Sequence, residues 1–291
     1  MQCRTHIKPA LGSVKLASLT THAIQAFYNS LYRGDAALSP KTVKNIHGVI
    51  HKSLKQALML GYIKSNPSEA CALPRVDKKV VKPLDDAEIT AFLKAIQGHK
   101  YESVYSITLF TGLRQGEILG LTWDCIDFEN NEILIDKQLQ KEKEKGGKYY
   151  LAPLKNDKSR RIAPAQYVMQ VLRDVRHKQL EMRFKAGQLW NNNDNLVFTN
   201  EIGEHLVHFT VYSNFKRIAT SLNIPDARFH DLRHSYAVAA LSSGDDIKTV
   251  QENLGHYTAA FTLDVYGHVT EKMKRESAER MDAFIKGVKN L

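Results

Sequence analysis

Apolar positions near the start of the chain recur at helical spacing. In KTVKNIHGVIHKSLKQALMLGY, residues 41–62, the residues Val43, Ile46, Val49, Ile50, Leu54, Ala57 and Leu58 fall three and four apart, which is the period of an amphipathic helix. Ser39 and Pro40 form a capped start and Gly61 a stop. Upstream, LTTHAIQAFYNSLYRG predicts a helix opening at Thr20 or Thr21 and ending at Gly34. Asn66-Pro67 predicts one more short helix.

The pattern changes at PRVDKKVVKP, residues 74–83, a lysine-rich stretch bracketed by prolines that reads as an extended basic linker. Helical patterning resumes in LDDAEITAFLKAI, capped by Asp85 or Asp86, and continues through YESVYSITLFTG and RQGEILGLTW. Strand character follows in NEILIDKQ, KYYLAPLK and SRRIAP, with KEKEKGGK as the hairpin turn between the first two. After Pro164 the chain reads as helix again, interrupted only by LVFTN. The predicted class is mainly α with a small antiparallel β-sheet of three strands. A helical domain covers 1–76, a basic linker 77–83, and a mixed α/β domain 84–291.

Charge changes the picture. The net charge is +10. Residues 1–80 hold twelve Lys and Arg against three acidic residues, so almost the whole excess sits in the first quarter. Such asymmetry points to a polyanionic partner, nucleic acid above all. The helix 40–60 carries Lys41, Lys44, His51, Lys52 and Lys55 with no acid among them. Exposed helices more often alternate Glu and Lys. Lys41, Lys44, Asn45, His51 and Lys52, with Arg75 in the linker, are the candidate DNA contacts. The plain alternative is a solvated basic face.

No apolar run approaches bilayer length, and MQCRTHIKPALGSVK lacks a signal-peptide core. Cys3, Cys71 and Cys125 are scattered, without the CxxC spacing of a zinc site. A reduced, cytoplasmic protein without membrane association is expected.

The second domain holds the unusual chemistry. HDLRH, 230–234, packs two histidines and an arginine into five residues at the start of an apolar helix. His230 and Arg233, three apart, share a helix face. Arg114 follows Gly112 in TGLRQGE; Lys155 lies in LKNDKSRR; His256 follows Gly255 in NLGH; Tyr266 lies in LDVYGHV. Singly, each has a bland reading: a surface arginine, one lysine among many, a core histidine, a packed tyrosine. Together, in this order, they do not.

These motifs resemble those of the tyrosine recombinases, the phage-type integrases, and most of all the integrases of conjugative transposons and temperate phages. TGLRQGE is similar to the first-arginine motif, with Glu117 in its usual place. LKNDKSRR is similar to the β-hairpin lysine motif, HDLRHSYA to the HxxR box, LGHYT to the LGH box and LDVYGHV to the nucleophile motif. The resemblance spans about 85–285, and the basic helices before it look like a core-binding domain.

The resemblance implies a site-specific recombinase that cuts and rejoins DNA through a 3′-phosphotyrosine on Tyr266. Arg114 and Arg233 would bind the phosphate, His230 would help take the tyrosine proton, Lys155 would protonate the departing 5′ oxygen, and His256 would donate to the same phosphate. No metal or other cofactor is expected. The tail TEKMKRESAERMDAFIKGVK reads as an amphipathic helix with Met273, Ala278, Met281, Phe284 and Ile285 near one face. Family analogy makes it a dock onto a neighbouring subunit in a tetramer on two duplex DNA sites, within the nucleoid, with an excisionase as a possible accessory partner. Many such integrases carry a further small N-terminal domain; a chain opening in the core-binding region is either a simpler recombinase or a fragment. Two rivals remain on sequence grounds: a type IB topoisomerase, and a DNA-binding protein with a relict site.

Overall fold

The structure, a computed structural model, describes residues 2–33, 37–76, 82–142, 147–154, 158–255 and 278–289. The chain divides into two compact units, Met1–Lys79 and Val80–Leu291.

The first unit is helical. Residues 2–11 form a helical stretch that ends in α1 (Lys8–Leu11). Then come α2 (Thr21–Tyr32) and α3 (Pro40–Met59). Thr20 caps α2 by accepting from the Ala23 amide, and Ser39 caps α3 by accepting from the Thr42 amide, which satisfies donors that the first turn leaves free. Beyond α3, Gly61 takes φ of 76° and the Tyr62 amide closes back onto the Ala57 carbonyl at 2.9 Å, a left-handed helix stop. Val43, Ile46, Ile50 and Leu54 bury against Ile24, Phe27 and Tyr28 of α2. Each such apolar side chain contributes roughly 1.5–3 kcal/mol. Val49, expected on this stripe, is exposed at its edge. The short helix expected at Asn66-Pro67 is a turn over 67–70 instead. Asn66 Oδ1 accepts from both the amide and the hydroxyl of Ser68 at 3.0 and 2.7 Å, an Asx turn that competes with helix growth.

The second unit holds seven helices among the described residues: α4 (Asp86–Ala95), α5 (Glu102–Thr111), α6 (Gln115–Leu119), α7 (Gln166–Ala186), α8 (His208–Ser221), α9 (Phe229–Ser242) and α10 (Ile247–Leu254). The first six share the main core, and α10 packs on α9 through a smaller cluster of Ala237, Leu241, Val250 and Leu254. Asp85 and Glu88 form a reciprocal capping box on α4. Helix α5 is buried along nearly its whole length and packs against α6, α7 and α9. A further helix, α11, spans 278–289 and is exposed throughout.

The β structure differs from the expected single sheet. Strands β1 (Ile126–Asp127), β2 (Glu132–Ile135) and β5 (Arg160–Ile162) form one antiparallel sheet in the order β1-β2-β5. Strands β3 (Lys137–Lys141) and β4 (Tyr149–Pro153) form a separate hairpin at the predicted place. NEILIDKQ is broken at Asp136, so its two halves join different sheets. The return to helix after Pro164 is also interrupted for longer than LVFTN: residues 187–207 are non-helical apart from the turn Gly187–Leu189.

Candidate active site

Two left-handed glycines shape the site. Helix α5 ends at Gly112, with φ of 66°, and α10 ends at Gly255, with φ of 62°. A Cβ on Gly112 would fall 2.5 Å from the Leu254 side chain and 2.6 Å from the Tyr236 ring. Only glycine fits both that backbone and that space. The turn starts α6 at once, so Arg114 stands at its N-terminus.

The last carbonyls of a helix have no partner within it. At the end of α10 three consecutive carbonyls are each met by a different arginine. Arg160 Nε donates to Asn253 at 2.7 Å, Arg233 Nη2 to Leu254 at 2.5 Å, and Arg114 Nη2 to Gly255 at 3.3 Å. Cations there also suit the negative end of the helix dipole. Arg233 is 1% exposed, and its Nη1 donates to the Gly112 carbonyl at 2.7 Å.

Arg114 keeps 40% of its side chain exposed and pairs with Glu117 at 2.6 Å. The Glu117 carboxylate is fully buried. It takes one bond on each oxygen from Arg114 and one on each from Arg160. Burial alone would raise its pKa, but the Arg160 hydrogen bond and the charges of Arg160 and Arg114 outweigh burial and hold it at about 2.

The HDLRH box opens α9. Asp231 sits at the helix start and accepts from the Arg228 amide at 2.8 Å and its guanidinium at 2.7 Å, where a carboxylate suits the helix dipole. His230 lies with its ring 4.8 Å from that of His234. Its pKa is lowered first by desolvation, then by the positive charges of Arg233 and Arg114. His234 is buried, and burial with the nearby His230 takes it down to about 4. The box is therefore less positive at neutral pH than its composition suggested. Both rings are neutral and Arg233 carries the fixed charge.

The described residues thus bring Arg114 and Arg233 to the end of α10, with His230 near enough for the charges of both to act on it. Lys155, His256 and Tyr266 lie outside the described residues. His256 is the residue directly after Gly255, and Lys155 directly follows Leu154, just beyond β4. Sequence reasoning gave Arg160 no role. Its signal was the pair Arg160-Arg161 in a strand, where one side chain must face inward. The register settles which: Arg160 lies across from buried Ile135, whereas Arg161 lies across from Leu134 and meets Glu132 at the surface.

In the first unit, Lys41, Lys44, Asn45 and Lys52 are exposed on the face of α3 opposite its buried stripe. His51 is placed differently. It is half-buried, with Nδ1 3.1 Å from the Ser68 hydroxyl and 3.3 Å from Asn66 Nδ2. Arg75 is exposed near the end of the unit.

The description "Phage integrase family" matches residues 82–273, and "Phage integrase, N-terminal SAM-like domain" matches residues 1–32. A tyrosine recombinase XerC-like protein of Caldanaerobacter subterraneus subsp. tengcongensis is 30% identical over 97% of this chain and 76% of its own. The ICEBs1 integrase of Bacillus subtilis is 26% identical over 96% of this chain and 75% of its own. A solved structure of the Tn1549 transposon integrase in complex with transposon right end DNA superposes with a TM-score of 0.79 at 25% identity, over 96% of this chain and 90% of that one.

Proposed function

The chain belongs to the phage integrase family and is a site-specific DNA recombinase, a tyrosine recombinase of integrase type, and from that premise we propose how its own residues carry the reaction. Residues 1–76 act as a core-binding domain on double-stranded DNA, with 77–83 as linker and 84–291 as catalytic domain. Tyr266 attacks a backbone phosphorus. A 3′-phosphotyrosine forms, and the 5′ oxygen leaves as a hydroxyl. The free strand end of a second site reverses the step, so the bond energy is kept in the covalent intermediate.

The convergence of Arg114 and Arg233 at the end of α10, with His230 within reach of both charges, supports this reading. A phosphodiester under attack gathers negative charge on its non-bridging oxygens. Two guanidinium groups, always ionised, stabilise that charge through paired hydrogen bonds. A free tyrosine has a pKa near ~10, so about one in a thousand is phenolate at pH 7. A neutral His230 has a lone pair to take the phenol proton, and its lowered pKa keeps that form populated. Lys155 protonates the departing oxygen and His256 donates to the phosphate. These residues do the work without a metal or other cofactor.

Lys41, Lys44, Asn45 and Lys52 approach the duplex, Arg75 follows its backbone, and His51 supports the helix that carries them. Two copies on each of two sites make a tetramer in which α11 docks on a neighbour. An excisionase and a place in the nucleoid complete the proposed setting. No helix among the described residues is long and apolar enough to cross a membrane.

A nicked suicide duplex tests the chemistry. The wild-type protein should remain covalently bound to it after denaturation, and Tyr266→Phe should bind the same duplex yet leave no adduct. An adduct in that variant sinks the assignment.

A further inference from the structure

Arg160 connects three parts of the site. It lies on β5, a few positions after Lys155 in sequence. Only 9% of its side chain is exposed. Nη2 and Nη1 grip the two oxygens of Glu117 at 2.7 and 3.3 Å, and Nε points the other way, to the Asn253 carbonyl at 2.7 Å. Gly255 packs against it so closely that a Cβ there would stand 3.1 Å from Nη1. Glu117 in turn holds Arg114 by backbone and side chain. One planar guanidinium thus ties the β5 strand, the first turn of α6 and the end of α10 into a single unit.

We propose that Arg160 is a positioning residue for strand cleavage, fixing the Glu117 carboxylate against the end of α10 so that the open edge of Arg114 stays aimed at the phosphate. The proposal rests on the catalytic reading given above. Arg114 alone cannot hold that aim. Its bond to Gly255 is 3.3 Å long and its side chain is partly exposed. The firm contact is with Glu117, which must itself be held. A lysine at 160 would keep the charge but lose the fork, since an ammonium cannot grip both carboxylate oxygens in one plane and still reach Asn253.

A purely structural role would make the same contacts, so the test must separate aim from stability. Among the described residues, Glu117 has Arg160 from β5 and Arg114 from its own turn as its charged partners. Without Arg160, burial is opposed by Arg114 alone, and the Glu117 carboxyl titrates at higher pH. The experiment is single-turnover adduct formation on the nicked suicide duplex, for wild type, Arg160→Lys, Arg160→Met and the double variant Glu117→Gln/Arg160→Met. DNA affinity and melting temperature are measured beside it, at temperatures where each protein is folded.

Misplacement of a catalytic group by about 1 Å costs on the order of a hundredfold in rate. Arg160→Lys should therefore cleave roughly ten- to a hundredfold more slowly, with affinity within about twofold. For Arg160→Met, the ratio of its rate to wild type should fall as pH drops from 7 to 5, as Glu117 gains its proton. The double variant, which has no acid at 117, should lose that trend. Should Arg160→Met not fold, Arg160→Lys decides. Arg160→Lys with a wild-type rate overturns the proposal. So does a rate loss matched by weaker affinity or by the unfolded fraction, or an Arg160→Met rate ratio independent of pH. If wild type itself forms no adduct at Tyr266, the functional reading fails instead, and the two failures are distinct.

Discussion

The guanidinium of Arg233 donates to the carbonyl oxygen of Gly112 at 2.7 Å, across 121 positions of sequence. That bond joins the HDLRH box on α9 to the TGLRQGE turn after α5. It needs the left-handed turn at Gly112, which points the carbonyl toward Arg233 and the next residues toward the start of α6. The same arginine holds Leu254, so the ends of α5 and α10 close on one side chain. The two arginines proposed for the phosphate therefore stand in different physical situations.

Arg114 and Arg233 should respond differently to removal. Both alanine variants should lose cleavage far more than DNA affinity. Arg233→Ala should also lose stability, on the order of 3 kcal/mol, because it leaves two buried carbonyls without a donor. Arg114→Ala, cut from a half-exposed side chain, should stay within about 1 kcal/mol of wild type. Urea unfolding beside the adduct assay measures both. Equal stability losses would contradict the difference in burial between the two side chains.

Stability should depend on pH in two separate windows. His234 has its folded pKa at about 4, below the ordinary 6.5. Between those values the unfolded chain binds the extra proton. Stability is thus complete above pH 6.5 and falls as pH drops toward 4, by roughly 3 kcal/mol for a shift of this size. Glu117, held at about 2 against an ordinary 4.5, adds a loss only below pH 4.5. His234→Phe should make the upper window shallower, without abolishing it because His47, His99, His208 and His230 are lowered too, and should leave the lower one. A variant with an unchanged slope between pH 4 and 6.5 would refute the assignment to His234.

The basic face of α3 should govern salt dependence. Each Lys→Ala change at 41, 44 or 52 should lower the slope of log affinity against log salt by up to about 0.9 for every phosphate that the protein no longer neutralises. His51→Ala should instead destabilise the unit, since it removes the partner of Ser68 and Asn66. Electrophoretic shifts at several salt concentrations, with thermal melts, separate the two. A wild-type salt slope in the triple lysine variant would remove this face from the DNA.

Helix α11 exposes Met281, Phe284, Ile285 and Val288 at 57, 66, 41 and 55%. Their spacing makes one apolar stripe. Phe284→Asp with Ile285→Asp should leave the melting temperature unchanged, because nothing buried is removed, and should prevent assembly on paired sites. Sizing of the DNA complexes reads the outcome; a full tetramer would rule out docking through this stripe.

The helices were legible where local chemistry defines them. Thr20, Ser39 and Asp85 cap as their side chains and spacing predict, and the buried stripe of α3 follows its period at Val43, Ile46, Ile50 and Leu54, while Val49 is exposed and Ala57 and Leu58 are half-buried. Arg114, His230 and Arg233 could be picked out because motif spacing is itself sequence information, as was the likeness to phage integrases.

What tertiary structure decided are matters of register and environment, which depend on residues far apart in the chain. Period-two alternation says that one of Arg160 and Arg161 faces inward, but only pairing of β5 with β2 chooses Arg160. The same pairing splits NEILIDKQ between two sheets, because β2 finds its partner well downstream, at Arg160–Ile162. Protonation belongs here too: HDLRH reads as cationic by composition, yet burial and neighbouring arginines keep both of its histidines neutral. A side chain's identity is local, but its charge and its aim are set by whatever the fold packs around it.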